Sequence, residues 1–281
     1  MADIKGVRGQ RILANALSVV TAGVAVGVLA VVGTASASVE SSEKHVKPTI
    51  VLEHGAFADA ASWNGVIKEL RRDGYPVIAA ANPLRGPAND AAALRSVLDH
   101  VEGPKILVGH SYGGSVISTA GANDPQVKAL VYVAAFLPAP GESALELTNK
   151  YPGSTLPNAL DAVPFTLPGG ATGTDLYIRT AKFRQQFAAD VPADTAALMA
   201  ATQRPIAQAA LEEKAEVAAW QNKPVWSVVA TQDLNIPVEA QRFMSRRAHA
   251  HITEVRASHS VAVSHPKTVA DVIEDAARAT R

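Results

Sequence analysis

Short apolar runs that do not alternate, separated by stretches of helical spacing, limit this chain more than any other feature. Thr49-Ile50-Val51-Leu52, Tyr75 to Ala80, Lys105 to Val108 and Lys128 to Phe136 are nearly unbroken in hydrophobic or β-branched residues. Strands of that kind are covered on both faces. Between them, residues 62–73 place Trp63, Val66, Ile67 and Leu70 at helical spacing and stop at Gly74. Residues 89–101 do the same through Leu94, Val97 and Leu98, and a helix of small residues runs from about Ser115 to Ala122. Strand and helix in strict succession predict an α/β fold, a mostly parallel sheet flanked by helices.

At Leu137 the succession breaks. Residues 138–175 are dense in Pro and Gly without a clear period, and residues 178–220 read as two or three helices with no strand between them. A helical cap over residues 138–222 is expected, inserted above the carboxyl edge of the sheet. The sheet resumes at Val225–Ala230, followed by a helix over 237–248, a strand His251–Val255 and a last helix Lys267–Ala277. The core is therefore expected in 48–137 and 223–281. No internal repeat is visible.

The 281 residues suit one large α/β domain or two small ones, and a formal net charge of zero offers no electrostatic ground for a nucleic-acid partner. The absence of cysteine removes disulfides, thiol catalysis and cysteine metal sites. Lys5, Arg8 and Arg11 precede an apolar stretch from about Ile12 to Val32 that ends in Ala35-Ser36-Ala37. This is the pattern of a signal peptide over residues 1–37, cleaved after Ala37. An uncleaved anchor is the alternative, since the apolar run is nearly long enough to span a bilayer. A secreted or periplasmic protein without a stable membrane anchor is expected. Residues 38–47 are polar and read as a flexible lead-in.

Gly109-His110-Ser111-Tyr112-Gly113-Gly114 follows one strand and opens a helix. A serine hydroxyl is a weak nucleophile. A tight strand-to-helix turn pushes it out at the sheet edge, and the helix N-terminus offers N–H groups to an oxyanion. Ser111 is the candidate nucleophile. Its general base must be a histidine at a strand carboxyl end. His259, in Ala257-Ser258-His259-Ser260, meets that condition, with His265 as the rival. His54 and His110 sit in glycine motifs where structural roles are more common. The orienting carboxylate is assigned to Asp233, after the Val225–Ala230 strand, with Glu142 as the rival. The chain order Ser111, Asp233, His259 is one that serine hydrolases on such a sheet use. Two backbone donors are expected at the oxyanion, the N–H of Tyr112 and that of Ala56 in the loop after the first strand. Phe57 and Tyr112 border the nucleophile and are expected to touch substrate. Serine chemistry of this kind needs no metal or other cofactor.

With these motifs in hand, residues 48–281 resemble the α/β-hydrolase superfamily, closest to the small esterases grouped with plant methyl esterases and hydroxynitrile lyases. The resemblance rests on His54-Gly55-Ala56, the Ser111 turn, Asp233 in Gln-Asp-Leu-Asn-Ile-Pro, His259 in Ser-His-Ser, and Ser264-His265-Pro266 leading into a helix. It implies an α/β-hydrolase fold and a serine carboxylesterase-type hydrolase. Dehalogenase and epoxide hydrolase relatives carry an aspartate where Ser111 stands. Plant hydroxynitrile lyases carry a lysine at Ser260 and a threonine at Gly55, which argues against that activity here. Cofactor-free haloperoxidase-like relatives share the triad.

The cap side chains Leu176, Ile178, Phe183, Phe187, Leu198, Met199 and Ile206 are expected mostly in the core, with a few facing a modest apolar pocket. No cationic cluster adjoins the motifs, so the expected partner is a small neutral carboxylic ester. Lactone, amide or C–C bond hydrolysis with the same triad remains the alternative, and a non-catalytic ligand-binding role a more distant one.

Overall fold

A computed structural model describes residues 47–280, so the expected signal peptide and all of the lead-in except Lys47 lie outside the described residues. In chain order the first half comprises β1 Thr49–Glu53, α1 Asn64–Arg72, β2 Val77–Ala80, α2 Pro87–Leu98, β3 Lys105–His110, α3 Gly113–Ala120 and β4 Val127–Val133. An insertion follows, with α4 Ala144–Asn149, β5 Leu160–Thr166, β6 Thr172–Ile178, α5 Thr180–Phe187, α6 Ala193–Thr202, β7 Ile206–Ala207 and α7 Gln208–Glu212. The chain then returns through β8 Val225–Ala230, α8 Val238–Arg247, β9 His251–Val255, α9 Val261–Ser264 and α10 Pro266–Ala279. Among the described residues no helix is long and apolar enough to cross a membrane.

The main sheet has the order β2-β1-β3-β4-β8-β9, and every pairing in it is parallel. Successive side chains of a strand point to opposite faces, and the cores divide accordingly. Ile50, Leu52, Ile106 and Val108 pack with α1 and α10 through Val66, Leu70, Val269 and Ile273. Val51, Leu107 and Leu130 pack on the other face with Leu94 of α2, Val116 and Ile117 of α3, and Met244 of α8. Each such side chain, fully buried, stabilises the fold by about 1.5–3 kcal/mol. This two-sided burial is why the strand runs are continuous rather than alternating. From β1 the chain steps outward to β2 and then back across to β3. The carboxyl ends of β1 and β3 therefore flank the point where strand order reverses, which is where open α/β sheets place their sites.

The insertion corrects one expectation. It is not purely helical: β5 and β6 form an antiparallel hairpin, and β7 adds to β6 as a third strand. The hairpin closes at Leu167–Ala171, where Leu167 donates to the Ala171 carbonyl at 2.7 Å. Most of β5 is solvent-exposed. With so little of it turned inward, the strand carries no apolar alternation to read, and Pro164 argues against a strand on sequence alone. Leu198 is a second correction. At 69% exposed it stands on the outside of α6, whereas Phe183, Phe187 and Ile206 are buried as expected.

Candidate active site

The turn between β3 and α3 is built by close approach. A Cβ at Gly109 would lie 2.6 Å from the Gly113 carbonyl oxygen, and one at Gly55 would lie 2.6 Å from Ser111 Cβ and 2.7 Å from the His110 carbonyl oxygen. Ser111 is consequently held at φ 55°, in the left-handed region. Such a backbone costs about 1–3 kcal/mol and persists only where its surroundings enforce it. Here the Ser111 N–H donates to Val133 O at 3.2 Å, and its carbonyl accepts from Gly114 N at 3.0 Å and Phe136 N at 3.1 Å.

The structure brings the three residues singled out from the sequence together. His259 Nε2 lies 2.8 Å from Ser111 Oγ, and His259 Nδ1 lies 2.7 Å from Asp233 Oδ2. A carboxylate facing Nδ1 places the proton there and leaves the Nε2 lone pair for the serine hydroxyl. Four donors converge on Asp233. Oδ1 accepts from Asn235 N at 2.7 Å and Ile236 N at 3.1 Å; Oδ2 accepts from Gln241 Nε2 at 2.8 Å as well as from the imidazole. The rivals lie elsewhere. Glu142 is taken by Arg247 at 2.7 Å, and His265 Nδ1 lies 2.9 Å from Ser264 Oγ.

The two other histidines near the site support it. His110 Nε2–H donates to the His259 carbonyl at 2.9 Å, and the two rings lie 4.8 Å apart. Burial, aided by the neighbouring His259, pushes His110 down to about 3, so it is neutral. His54 donates from Nδ1 to Gly55 O at 2.9 Å and accepts at Nε2 from Asn82 N at 3.1 Å. Burial lowers its pKa too. These bonds hold the loop that carries Ala56 beside the serine.

Ala56, Phe57, Ser111, Tyr112 and His259 open onto one cavity of about 260 Å³. Its other walls are largely apolar and come mainly from the insertion, through Leu145, Leu156, Pro157, Leu160, Leu176 and Leu211, with Phe136 and Ile236 from the core. Among the described residues no three His, Cys, Asp or Glu side chains gather where they could hold a metal ion.

The profile of the alpha/beta hydrolase family matches residues 50–272. The chain belongs to that family. A pyrethroid hydrolase of Sphingobium wenxiniae is 28% identical to this hydrolase in an alignment of length 257 that covers 82% of this chain and 88% of that protein. A carbendazim hydrolyzing esterase of a Nocardioides species is 33% identical in an alignment of length 113 that covers 36% of this chain and 47% of that protein. Among solved structures, polyneuridine aldehyde esterase superposes on this hydrolase with a TM-score of 0.71 at 18% identity, over 82% of this chain and 98% of that one.

Several residues of the hydrolase's site escaped sequence reasoning. Gln241 of α8 holds Asp233. Gln186 of α5 reaches the acid loop at Leu234 O and Asn235 Oδ1, both at 2.8 Å. The Phe187 carbonyl accepts from Ser260 N at 3.0 Å and Ser260 Oγ at 2.9 Å, and Ser258 Oγ donates to Asp190. The insertion thus braces both the loop that carries Asp233 and the loop that carries His259. Tyr112 OH donates to buried Asp90 at 2.7 Å, and burial with that carboxylate pushes the phenol pKa up. Glu53 ends β1 fully buried, pushed up to about 8 by burial and by Asp90. No motif marks these side chains, because their partners lie on other elements.

Proposed function

We propose that this hydrolase cleaves small neutral carboxylic esters through an acyl-enzyme on Ser111. The observation that carries the reading is the His259 imidazole, bridging Ser111 Oγ at 2.8 Å and Asp233 at 2.7 Å on the wall of a largely apolar cavity. His259 Nε2 takes the serine proton as Oγ attacks the ester carbonyl. Asp233 holds the imidazole in the required tautomer and stabilises the imidazolium. The Tyr112 and Ala56 N–H groups receive the developing oxyanion. Each such donor contributes roughly a hundred- to a thousandfold to turnover. The imidazolium then protonates the departing alcohol, and water activated by the same histidine clears the acyl group. Phe57 and Tyr112 contact the acyl or alcohol portion. The names of the pyrethroid hydrolase and the carbendazim hydrolyzing esterase support an ester as substrate. The Lys5 to Ala37 pattern supports export, with Ser38 as the first residue of the secreted protein.

Stopped-flow hydrolysis of p-nitrophenyl butyrate tests the mechanism. A burst of one p-nitrophenol per chain is expected, lost in Ser111→Ala. Undiminished hydrolysis by that variant would overturn the assignment. Methyl esters, lactones and amides assayed side by side decide which acyl bond is preferred.

A further inference from the structure

Phe57 belongs to the walls of two cavities. It lines the one at Ser111, and it lines a second, also of about 260 Å³, together with Ala58, Ser62, Leu198, Met199 and Val263. Among the described residues no other side chain is common to both walls. Leu198 and Met199 come from α6, and Leu198 is the apolar residue left 69% exposed on that helix. The second cavity thus carries apolar surface that the fold itself does not cover.

Phe57 is held there against the ordinary preference of its backbone. Its φ is 60°, in the left-handed region, which a bulky residue adopts only where its surroundings enforce it. The Phe57 N–H donates to Arg204 O at 2.9 Å. Its ring meets Phe187 edge-on, with centroids 6.3 Å apart, and the Phe187 ring in turn lies 4.9 Å from that of His259. The Phe57 ring is therefore one ring removed from the imidazole. An ester carries two arms, one on each side of its carbonyl. The cavity at Ser111 is smaller than the range of about 300–1,000 Å³ usual for drug-sized ligands. It has room for one large arm, and a second large arm needs space beyond it.

We propose that Phe57 is a specificity-determining partition: it separates the cavity at Ser111 from the second one and restricts the substrate to esters with a single large apolar arm. The inference rests on the ester hydrolase reading for the identity of the ligand, and it narrows the class by size rather than by chemistry. Removing the ring joins the two cavities, and the apolar surface of Leu198 and Met199 then receives the second arm.

Binding to Ser111→Ala separates recognition from turnover. Its affinities are measured by calorimetry for methyl phenylacetate and benzyl acetate, each with one large arm, and for benzyl phenylacetate, with two. With Phe57 in place, the two-armed ester is expected to bind no tighter than the better of the one-armed pair. Adding Phe57→Ala should raise its affinity relative to that pair by about tenfold or more, the low end of what an apolar pocket yields for one methylene. Phe57→Leu should move the ratio the same way by less, and it serves if the alanine variant does not fold by circular dichroism. Met199→Trp, added to the Phe57→Ala protein, fills the second cavity from α6 and should return the ratio to its starting value. The proposal is overturned by no relative gain in either Phe57 variant, by a gain that survives Met199→Trp, by a two-armed ester already preferred with Phe57 present, or by no binding of any ester. Turnover of benzyl acetate by the wild type reports on the catalytic reading alone. Turnover without the change in ratio sinks the partition only; the change in ratio without turnover sinks the catalytic reading only.

Discussion

Gln241 donates through Nε2 to Asp233 Oδ2 at 2.8 Å, the same oxygen that faces His259 Nδ1. The other end of the amide accepts from Ala230 N at 3.1 Å, and Nε2 also reaches Ile236 O at 3.0 Å. Gln241 is thereby a positioning residue that ties the acid to the end of β8 and to its own loop. Gln241→Leu should lower kcat roughly tenfold with little change in KM, since it loosens the imidazole rather than the pocket. It should also lower stability by about 1–3 kcal/mol for the buried groups left unmatched. Steady-state kinetics and urea unfolding measure both. An unchanged kcat would show that Asp233 holds its place without Gln241.

Gly55 packs directly against Ser111, the proposed nucleophile. Because an added Cβ would meet Ser111 Cβ at 2.6 Å and backbone at 2.7 Å, Gly55→Ala must displace the serine, the oxyanion loop or both. Misplacement on that scale costs roughly a hundredfold in kcat. Ester hydrolysis by a folded Gly55→Ala protein, checked by circular dichroism, reads the effect directly; near-normal turnover would contradict the packing.

Glu53 predicts a pH dependence of stability. Its carboxyl is raised from 4.5 to about 8 in the folded protein, mainly by burial. Between those values the folded state holds a proton that the unfolded state has released, so stability falls as pH rises. The contribution is fully present below pH 4.5 and lost by the time pH passes about 8. Glu53→Gln removes the titration. Its melting temperature should exceed that of the wild type at pH 9 and approach it at pH 4. Parallel melting curves for the two proteins across that range would refute the assignment.

The grip of the insertion on the His259 loop is also testable. Ser260 bonds Phe187 O through both N and Oγ, and Ser258 reaches Asp190. The double substitution Ser258→Ala with Ser260→Ala removes the hydroxyl bonds and leaves the backbone one. It should cost about 1 kcal/mol per bond and lower kcat about fivefold. Faster amide exchange in residues 257–264, with exchange in β3 unchanged, would mark the loop rather than the fold as the part loosened.

The main sheet was readable from the chain because burial on two faces writes unbroken apolar runs into adjacent residues. The Val225–Ala230 strand, buried throughout, was placed to the residue, and most helices to within a few residues. Ser111, Asp233 and His259 were readable because each follows a strand, where topology brings carboxyl ends to one edge. The β5–β6 hairpin was not readable. It is largely exposed, and a strand with neither face buried leaves no periodic trace.

By itself, then, the sequence determined which residues stand at the rim of the sheet, since strand ends and glycine turns are local properties. Tertiary structure alone decided how they are held. Gln241, Gln186, Asn235 and Glu53 matter through partners on other elements, and a hydrogen bond across a fold leaves no pattern in the residues on either side of it. It also decided the shape of the cavity, because α4, the hairpin and α7 enclose it only once they pack over the sheet.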